Sequence, residues 1–291
     1  MANEFVHPQY LVSTGWLAQH LGDPRVRVLD ATTHLPPLPD FSLYEVVSGA
    51  ADFEKAHIPG AQFVDIEHQL STPHPRLHFT LPDVQTFADV MGRLGVGADT
   101  RVICCASANH WWATRLWWML RVFGHDRAAV LDGGFQKWRA EGRPVESGPG
   151  RPAAQARFTP RLRAELLAGK DEVLAAIGRR DVCTVNALRP EQHAGSGGVH
   201  YGRRGHIPGS VNIPAVAHVH PDNTFKSAGE LRAMFAGALA NPEVIAYCGG
   251  GIAATSVALV LAALGYDGVK VYDNSLTEWA ADPALPMQTG A

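Results

Sequence analysis

Residues 244–272 read VIAYCGGGIAATSVALVLAALGYDGVKVY, and their pattern of apolar residues is the clearest indication of the fold class. Short apolar runs at 244–247 and 269–272 are typical of buried strands, and the longer apolar segment 252–264 between them predicts a helix. Gly265 is suited to end that helix because glycine tolerates the left-handed geometry that follows a last turn. Strand, helix and strand in this order predict parallel strands joined by a crossover helix, and hence an α/β fold.

A second helix is predicted just before this stretch. Ser227 and Glu230 have the spacing of a capping box. In this motif the serine hydroxyl accepts from an unpaired backbone N–H of the first helical turn, and the glutamate side chain accepts from the backbone N–H of the serine. The helix is expected to run to about Leu239, and Pro242 blocks its continuation into the strand that follows. The alternation of strand and helix therefore extends upstream.

The chain repeats itself. HIPGA at residues 57–61 returns as HIPGS at residues 206–210, and the surrounding segments match as well. The matched pairs are residues 26–30 with 181–186, 101–105 with 244–248, 123–126 with 264–267, Asp132 with Asp273, and Trp138 with Trp279. Two homologous domains are the simplest account of these matches.

Length and composition place the domain boundaries. The chain has 291 residues, which suits two domains at about 100–200 residues each. Residues 146–160, ESGPGRPAAQARFTP, have no hydrophobic period and are rich in proline, glycine and alanine, as is typical of a linker. We therefore expect an N-terminal domain at 1–145, a linker at 146–160 and a C-terminal domain at 161–291.

The overall composition disfavours several classes of function. Hydrophobic residues make up 46% of the chain and charged residues 18%, a balance typical of a folded globular protein. The net charge of −3 gives no general attraction to nucleic acid or to an anionic membrane. The longest nearly apolar stretch, 252–264, falls short of the roughly 20 residues of a bilayer span.

The N-terminus and the cysteines indicate a cytoplasmic protein. Glu4 stands where a secretory signal would carry a basic residue, and no apolar segment follows it. The four cysteines show no C-x-x-C spacing and are too few for a disulfide scaffold, so we expect reduced thiols.

Cys248 is the strongest candidate for chemistry. It comes directly after a predicted strand and before three glycines and a helix, and ligands of open α/β sheets bind at the carboxyl ends of the strands. A glycine-rich turn presents backbone N–H groups, and a helix N-terminus adds positive potential, so both favour a thiolate nucleophile. Cysteine is also a common small core residue, and this is our interpretation of Cys104 and Cys183.

Three rival motifs are weaker. Residues 249–254 fit the dinucleotide pattern G-x-G-x-x-A, but they lie too near the C-terminus to leave strands for a second nucleotide-binding half. A cysteine phosphatase needs an arginine where Ala254 stands, and no P-loop lysine motif occurs in the sequence. The 14 histidines show no metal-binding spacing, so no metal is expected.

The repeat and its motifs resemble the two-domain rhodaneses, which are thiosulfate and 3-mercaptopyruvate sulfurtransferases. The resemblance runs from about residue 6 to residue 289. The motifs that carry it are His-Ile-Pro-Gly in both halves, the strand-end Cys248, LDGGF-x-KW at 131–138, R-x-WW at 115–118 and VYD-x-S-x-x-EW at 271–279. It implies two tandem rhodanese-like domains, each a parallel doubly wound sheet flanked by helices, with the second domain catalytic and the first not.

By this resemblance Cys248 carries a persulfide. The thiolate would take a sulfane sulfur from a small donor, either thiosulfate or a 3-mercaptopyruvate-like compound, and pass it to a thiol, cyanide or a protein acceptor. The loop would bind the donor and hold the persulfide through backbone N–H groups. The residues implied are Gly249, Gly250, Gly251, Ile252 and Ala253. No cofactor is implied, and the oligomeric state is left open.

Several positions depart from the family pattern. Mercaptopyruvate enzymes carry serine where Gly250 stands, Asn186-Ala187-Leu188 replaces Asp-Ala-Arg, and Ala194 replaces a second arginine. Arg189 and Arg204 are the candidates to bind an anionic donor instead. The departures leave open an alternative, a divergent sulfur-relay or binding module with little turnover of the usual donors.

Two further site candidates and an aromatic cluster lie in the first half. Cys105 stands at the strand end where the family's first domain carries an acid. The loop after it is longer than the Cys248 loop and has no glycine, so a structural role is expected.

His57 aligns with a position implicated in mercaptopyruvate chemistry, but its repetition as His206 favours a turn-stabilising role. A cluster of tryptophans is expected in the first core, with the first two as candidates to line the cleft between the domains: Trp111, Trp112, Trp117 and Trp118.

Overall fold

Strands and helices alternate along the chain. The computed structural model describes residues 4–107 and 109–290. In chain order the strands are β1 Leu11–Val12, β2 Val26–Asp30, β3 Thr33–His34, β4 Val47–Ser48, β5 Gln62–Phe63, β6 Arg101–Cys105, β7 Ala128–Leu131, β8 Leu167–Ala168, β9 Val182–Asn186, β10 Val211–Asn212, β11 Glu243–Tyr247 and β12 Val269–Tyr272. The helices are α1 Thr14–His20, α2 Ala50–Lys55, α3 Ile66–Gln69, α4 Val84–Arg93, α5 His110–Val122, α6 Gly134–Ala140, α7 Lys170–Ala176, α8 Pro190–His193, α9 Ala228–Met234, α10 Ala236–Leu239, α11 Ala254–Ala263 and α12 Ser275–Trp279.

The two halves contain the same sheet. The strand order is β1-β7-β6-β2-β5 in the first half, and the equivalent strands give β8-β12-β11-β9-β10 in the second. Every neighbouring pair in both five-stranded sheets is parallel, whereas β3 and β4 form a separate antiparallel pair. The predicted duplication and the parallel α/β architecture are therefore confirmed.

Two predicted helices differ in detail from the observed ones. The capping box at Ser227 and Glu230 is present, but α9 ends at Met234 and a separate short helix follows the fully buried Phe235. The helix predicted from residue 252 begins at residue 254. The carbonyl of Ile252 instead accepts from the N–H and the hydroxyl of Thr255, and this closes a tight turn before α11.

Helix α11 is apolar on every side because it is enclosed. All ten of its residues are buried, since it packs between its own sheet and α5 of the first half. A helix that is hydrophobic all round belongs in such a core position. Within residues 4–107 and 109–290, no helix is both long and apolar enough to cross a bilayer.

The predicted linker runs along the first domain in an irregular conformation. Ala156 donates from its N–H to the carbonyl of Gly92 at 3.0 Å, and Arg161 donates to Phe123 at 2.9 Å. Phe158 is 8% exposed and packs on the first core. These contacts fix the path of the chain between the two sheets.

The two halves meet through equivalent helices. Thr114 on α5 and Thr255 on α11 occupy matching positions of the repeat, and their hydroxyls are 2.8 Å apart. Asp132 accepts from the N–H of Phe225 in the other half at 2.7 Å. Its counterpart Asp273 accepts from a backbone N–H of the first half at 3.0 Å. The contact is thus close to two-fold symmetric.

Two buried histidines share one hydroxyl at this interface. His110 Nε2 lies 2.9 Å and His218 Nδ1 lies 2.8 Å from Oγ of Ser256, a residue of α11. Burial lowers the pKa of His110 to about 4 and that of His218 well below its ordinary value. Both rings are therefore neutral at physiological pH.

These histidines predict a loss of stability in acid. Because the pKa of His110 is lower in the folded than in the unfolded protein, the unfolded chain binds the extra proton between about pH 6.5 and pH 4. His110 alone should lower the free energy of unfolding by up to about 3 kcal/mol as the pH decreases through this window. Denaturant unfolding of wild type and His110→Gln at several pH values measures the difference, and the variant should show the shallower pH dependence. Replacing the exposed His74 with glutamine is the control, and identical slopes in wild type and His110→Gln would contradict the account.

Candidate active site

Cys248 lies at the carboxyl edge of the second sheet, directly after β11. Tyr247, the last residue of that strand, pairs with Asn186 at the end of β9. The loop of residues 248–253 then leads to α11. This is the edge at which open parallel sheets bind their ligands.

Helix α12 holds the start of this loop by its carbonyl groups. The carbonyl of Cys248 accepts from the N–H of Leu276 at 3.2 Å. The carbonyl of Gly249 accepts from both the N–H and the hydroxyl of Thr277 at 2.8 Å each. These carbonyl oxygens therefore point toward α12.

A buried arginine from the first half holds the end of the loop. Arg115 is fully buried, and its Nη1 donates to the carbonyl of Gly251 at 3.4 Å and to the carboxylate of Asp273. Its Nη2 donates to the carbonyl of Phe79, which also belongs to the first half. The positive φ of Gly251, 76°, brings its Cα so close to the Asp273 carbonyl that a Cβ would lie 2.2 Å from that oxygen.

These contacts orient the loop N–H groups. A trans peptide places its N–H opposite its C=O, and the described chain has no cis peptide. The N–H groups of Gly249, Gly250 and Ile252 therefore point away from α12 and Arg115. Within the described residues, none of the N–H groups of 249–253 donates to another protein group. They form a row of donors that is available to an anion.

Ser275 fixes the position of Cys248 itself. Its Oγ accepts from the N–H of Cys248 at 3.0 Å and donates to the carbonyl of Tyr272 at 2.7 Å. The φ of Ser275 is 49°, a left-handed conformation that costs about 1–2 kcal/mol for a residue with a Cβ. The equivalent position in the first half is Gly134, with a φ of 60°. Ser275 thus binds the N–H of Cys248 from a strained backbone conformation, whereas glycine adopts the same conformation without strain at the equivalent position of the first half.

A cavity of about 280 Å³ opens in front of the loop. Cys248 is only 2% exposed yet lines this cavity, so a reactant reaches the sulfur by entering it. Residues from both halves form the walls: Leu35, Tyr44, Asn109, Trp111, Ala187, Leu188, Arg189, Gln192, Val199, Tyr201, Val216, Cys248, Gly249, Gly250, Ile252 and Ala253.

Two phenols stand over the loop. The rings of Tyr44 and Tyr201 are 6.2 Å apart in an edge-to-face arrangement. A Cβ on Gly249 would lie 2.0 Å from Cζ of Tyr201, so only glycine fits beneath this ring. Burial, together with the neighbouring Cys248, raises the pKa of both phenols, and both hydroxyls therefore remain protonated.

The structure brings together most of the candidate binding residues. Gly249, Gly250, Ile252, Ala253 and Arg189 line the cavity, and Arg189 is exposed. Gly251 is buried behind the lining and shapes the loop through its positive φ. Arg204 is also exposed but does not line the cavity, so the structure gives it no contact with the site.

The expectation that Cys105 stands at the catalytic strand-end position is wrong. Asp30 pairs with Cys105 as Asn186 pairs with Tyr247, so Ala106 is the residue equivalent to Cys248. The carbonyl of Ala106 accepts from the N–H of Phe135, the second residue of α6. In the same way, the carbonyl of Cys248 accepts from the second residue of α12.

The side chain of Cys105 is structural. It is 1% exposed, and its sulfur lies 3.5 Å from the carboxylate of Asp30. Burial and this carboxylate raise the pKa of the Cys105 thiol well above its ordinary value. The expected longer connection is not found, because α5 begins at His110, five residues after Cys105, whereas α11 begins at Ala254, six residues after Cys248.

His57 occupies a packing position. It is 1% exposed, its Nδ1 lies 2.8 Å from the carbonyl of Phe53, and its ring stacks on that phenyl ring at 3.9 Å. His206 repeats the arrangement with the carbonyl and ring of His193. His57 does not line the cavity, and a catalytic role for it stays an untested prediction.

Of the two tryptophans named as candidates to line the cleft, only Trp111 does so. Trp112, Trp117 and Trp118 are buried in the core, whereas Trp111 is partly buried and lines the cavity. Among residues 4–107 and 109–290, no group of three or more His, Cys, Asp or Glu side chains is arranged to hold a metal ion.

Comparison with known proteins identifies the family. The model of the rhodanese-like domain matches this chain twice, over residues 13–141 and 171–282. The chain belongs to the rhodanese family. Both matched segments fall inside the two domains expected from the repeat.

Several relatives of this rhodanese are named as sulfurtransferases or as a sulfur carrier. The sulfur carrier protein TtuD of Thermus thermophilus is 34% identical over 98% of this chain and 99% of its own. The 3-mercaptopyruvate sulfurtransferase of Escherichia coli is 34% identical over 96% and 98%, and the thiosulfate sulfurtransferase of Rattus norvegicus is 36% identical over 92% and 91%. The solved structure of Escherichia coli SseA, described as a 3-mercaptopyruvate sulfotransferase, superposes with a TM-score of 0.80 at 32% identity, covering 91% and 98%.

The departure at Asn186 has a structural explanation in this rhodanese. Its amide Nδ2 donates to the hydroxyl of Tyr247 at 3.0 Å, and its Oδ1 accepts from the N–H of Leu188 at 2.8 Å. Ser210 and the N–H of Ile207 complete the bonding of that hydroxyl. Asn186 therefore supports the strand end that carries Cys248.

Sequence reasoning missed the loop contacts of several residues, including Arg115, whose motif is quoted above without a role at the site. Tyr44, Tyr201 and Ser275 contact the loop, but nothing in the spacing of the two tyrosines connects them to Cys248. Ser275 lies in a quoted motif, and the signal for its role is the comparison with Gly134 at the equivalent position of the repeat.

Ser275 predicts an order of stability for two variants. Ser275→Ala loses both hydrogen bonds and keeps the left-handed strain, whereas Ser275→Gly loses the same bonds but relieves the strain. The alanine variant should be the less stable of the two by about 1 kcal/mol, measured by denaturant unfolding. Both variants should react more slowly at Cys248 than wild type. An alanine variant as stable as the glycine variant would contradict this account.

Proposed function

We propose that this protein is a sulfurtransferase of the thiosulfate or 3-mercaptopyruvate type that uses Cys248 as a persulfide carrier. The thiolate of Cys248 attacks the sulfane sulfur of a donor, an Sγ–S bond forms, and the donor's bond to that sulfur breaks with its electron pair leaving on the donor fragment. A thiol, cyanide or a protein acceptor then attacks the outer sulfur and releases the thiolate. No cofactor takes part in these steps.

The row of N–H groups is the single observation that carries this proposal. A persulfide places its outer sulfur, which carries the negative charge, one bond beyond Sγ. The donors of residues 249–253 have no acceptor within the described chain, and they belong to the loop that begins at Cys248, a residue that lines the cavity. Preorganised backbone donors of this kind stabilise an anion without reorganisation during the reaction.

The electrostatics of the cavity bear on the choice of donor. Thiosulfate is a dianion and mercaptopyruvate carries a carboxylate, and both are bound best by fixed cations. Arg189 supplies one exposed cation, and Leu188 and Ala194 stand where the family pattern has arginines. We therefore expect slow turnover of both common donors.

A thiocyanate assay together with mass spectrometry tests the proposal. Incubation with a sulfur donor should increase the intact mass of wild type by about 32 Da, one sulfur atom, and Cys248→Ser should show no increase. Cyanide should remove the sulfur from wild type and yield thiocyanate. Cys183→Ser is the matched control, since this buried strand thiol is not part of the cavity. An adduct that persists in Cys248→Ser would overturn the proposal.

A sulfur-relay module is the second candidate function. The likeness to a named sulfur carrier over 98% of the chain favours it, as do the departures at Asn186, Leu188, Ala194 and Gly250. The two candidates separate in the same experiment. A relay module would form the persulfide on Cys248 but release it poorly to cyanide and small thiols.

A further inference from the structure

The walls of the Cys248 cavity are mostly apolar and aromatic. The side chains of Leu35, Trp111, Leu188, Val199 and Val216 surround it together with the two tyrosines. Arg189 is the one charged residue among its lining residues in the described part of the chain. At about 280 Å³ the cavity approaches the roughly 300 Å³ at which small-molecule pockets begin, so a small inorganic dianion would fill only part of it.

Tyr44 brings an unpaired hydroxyl into this apolar site. The residue is 7% exposed, and its Oη makes no hydrogen bond to any described residue. A Cβ built on Gly250 would lie 3.2 Å from that oxygen, so the hydroxyl stands beside the position where the mercaptopyruvate enzymes of the family carry serine. Tyr44 lines the cavity, so a hydroxyl without a protein partner there is available to hydrogen-bond a ligand.

A structured loop of the first domain delivers this tyrosine. Leu38 donates to the carbonyl of Leu43 at 3.0 Å, and Glu45 donates to the carbonyl of Pro36 at 2.9 Å. The carbonyl of Phe41 accepts from the N–H of a second-domain residue, His200, at 3.1 Å. Tyr44 therefore approaches the cavity from a loop that is fixed at both ends and to the opposite domain.

We propose that this site takes a sulfane-sulfur donor that has an apolar or aromatic body and a single negative charge, and that the Tyr44 hydroxyl hydrogen-bonds the anionic head of that donor. The inference rests on the proposed function, because it concerns the compound that sulfurates Cys248. The apolar walls bind the body, Tyr44 supplements the single cation Arg189 that lines the cavity, and the loop N–H groups receive the transferred sulfur.

An aromatic thiosulfonate is the probe of this class. The thiolate of Cys248 attacks the terminal sulfur, the S–S bond of the donor breaks, and its electron pair leaves with the sulfinate. A thiolate and a thiosulfonate anion thus give a persulfide anion and a sulfinate anion, with no oxidant or reductant required. Tyr44 is a positioning group for the sulfonyl oxygens and loses no proton in this step.

Three donors separate the contributions of body and charge. Benzenethiosulfonate and methanethiosulfonate share one anionic head and differ only in the body, whereas thiosulfate is a dianion without a body. With cyanide as acceptor, kcat/KM should be at least about tenfold higher for the benzene than for the methane compound, and lowest for thiosulfate.

Tyr44→Phe tests the hydroxyl. The variant should lower kcat/KM for both thiosulfonates by about tenfold or more, the usual effect of losing a hydrogen bond to a charged group. Adding Gly250→Ser to Tyr44→Phe should recover part of the loss, because the new hydroxyl arises next to the lost one. Tyr10→Phe is the matched control, since this buried phenol does not line the cavity.

The outcomes distinguish the two levels of the proposal. Equal kcat/KM for the two thiosulfonates, a preference for thiosulfate, or a Tyr44→Phe variant within twofold of wild type would overturn this inference, while a persulfide on Cys248 would leave the proposed function standing. If no donor adds sulfur to Cys248, the proposed function is wrong and this inference is wrong with it.

Discussion

The orientation of a few peptide groups governs this site. The carbonyls of Cys248, Gly249 and Gly251 are bound on the outer side of the loop by α12 and by Arg115, and the trans peptide geometry then turns N–H groups the other way. A short backbone turn can hold such a row of donors only if its carbonyls are satisfied elsewhere. The ability of the loop to bind an anion thus depends on contacts that do not involve the sulfur.

The duplication explains how the second domain acquires these contacts. Both copies have the same sheet and meet through equivalent helices, but the paired positions have diverged. Ala106 stands where the second copy has Cys248. Residues of the first copy instead support the site in the second: Arg115 donates a hydrogen bond to the loop, and Tyr44 and Trp111 line the cavity. An isolated second domain would lack the clamp and one wall of the site.

The sequence alone predicts the fold well because the relevant signals are local and repeated. Periodic apolar runs, the capping box at Ser227 and the echo of His57 at His206 all follow from neighbouring residues. The contacts of Tyr44, Arg115 and Tyr201 with the loop depend on how two domains pack, and no spacing encodes them. The sequence-based alignment of Cys105 with Cys248 is wrong by one residue for a related reason. Which residues pair across neighbouring strands cannot be read from the sequence of either strand alone.

The most direct test of the account is a crystal structure of the protein after treatment with a sulfane-sulfur donor. The account predicts one additional sulfur atom bonded to Sγ of Cys248, lying in the cavity within hydrogen-bonding distance of the loop N–H groups. An additional sulfur on Cys104, Cys105 or Cys183, or loop N–H groups turned away from the added atom, would contradict it.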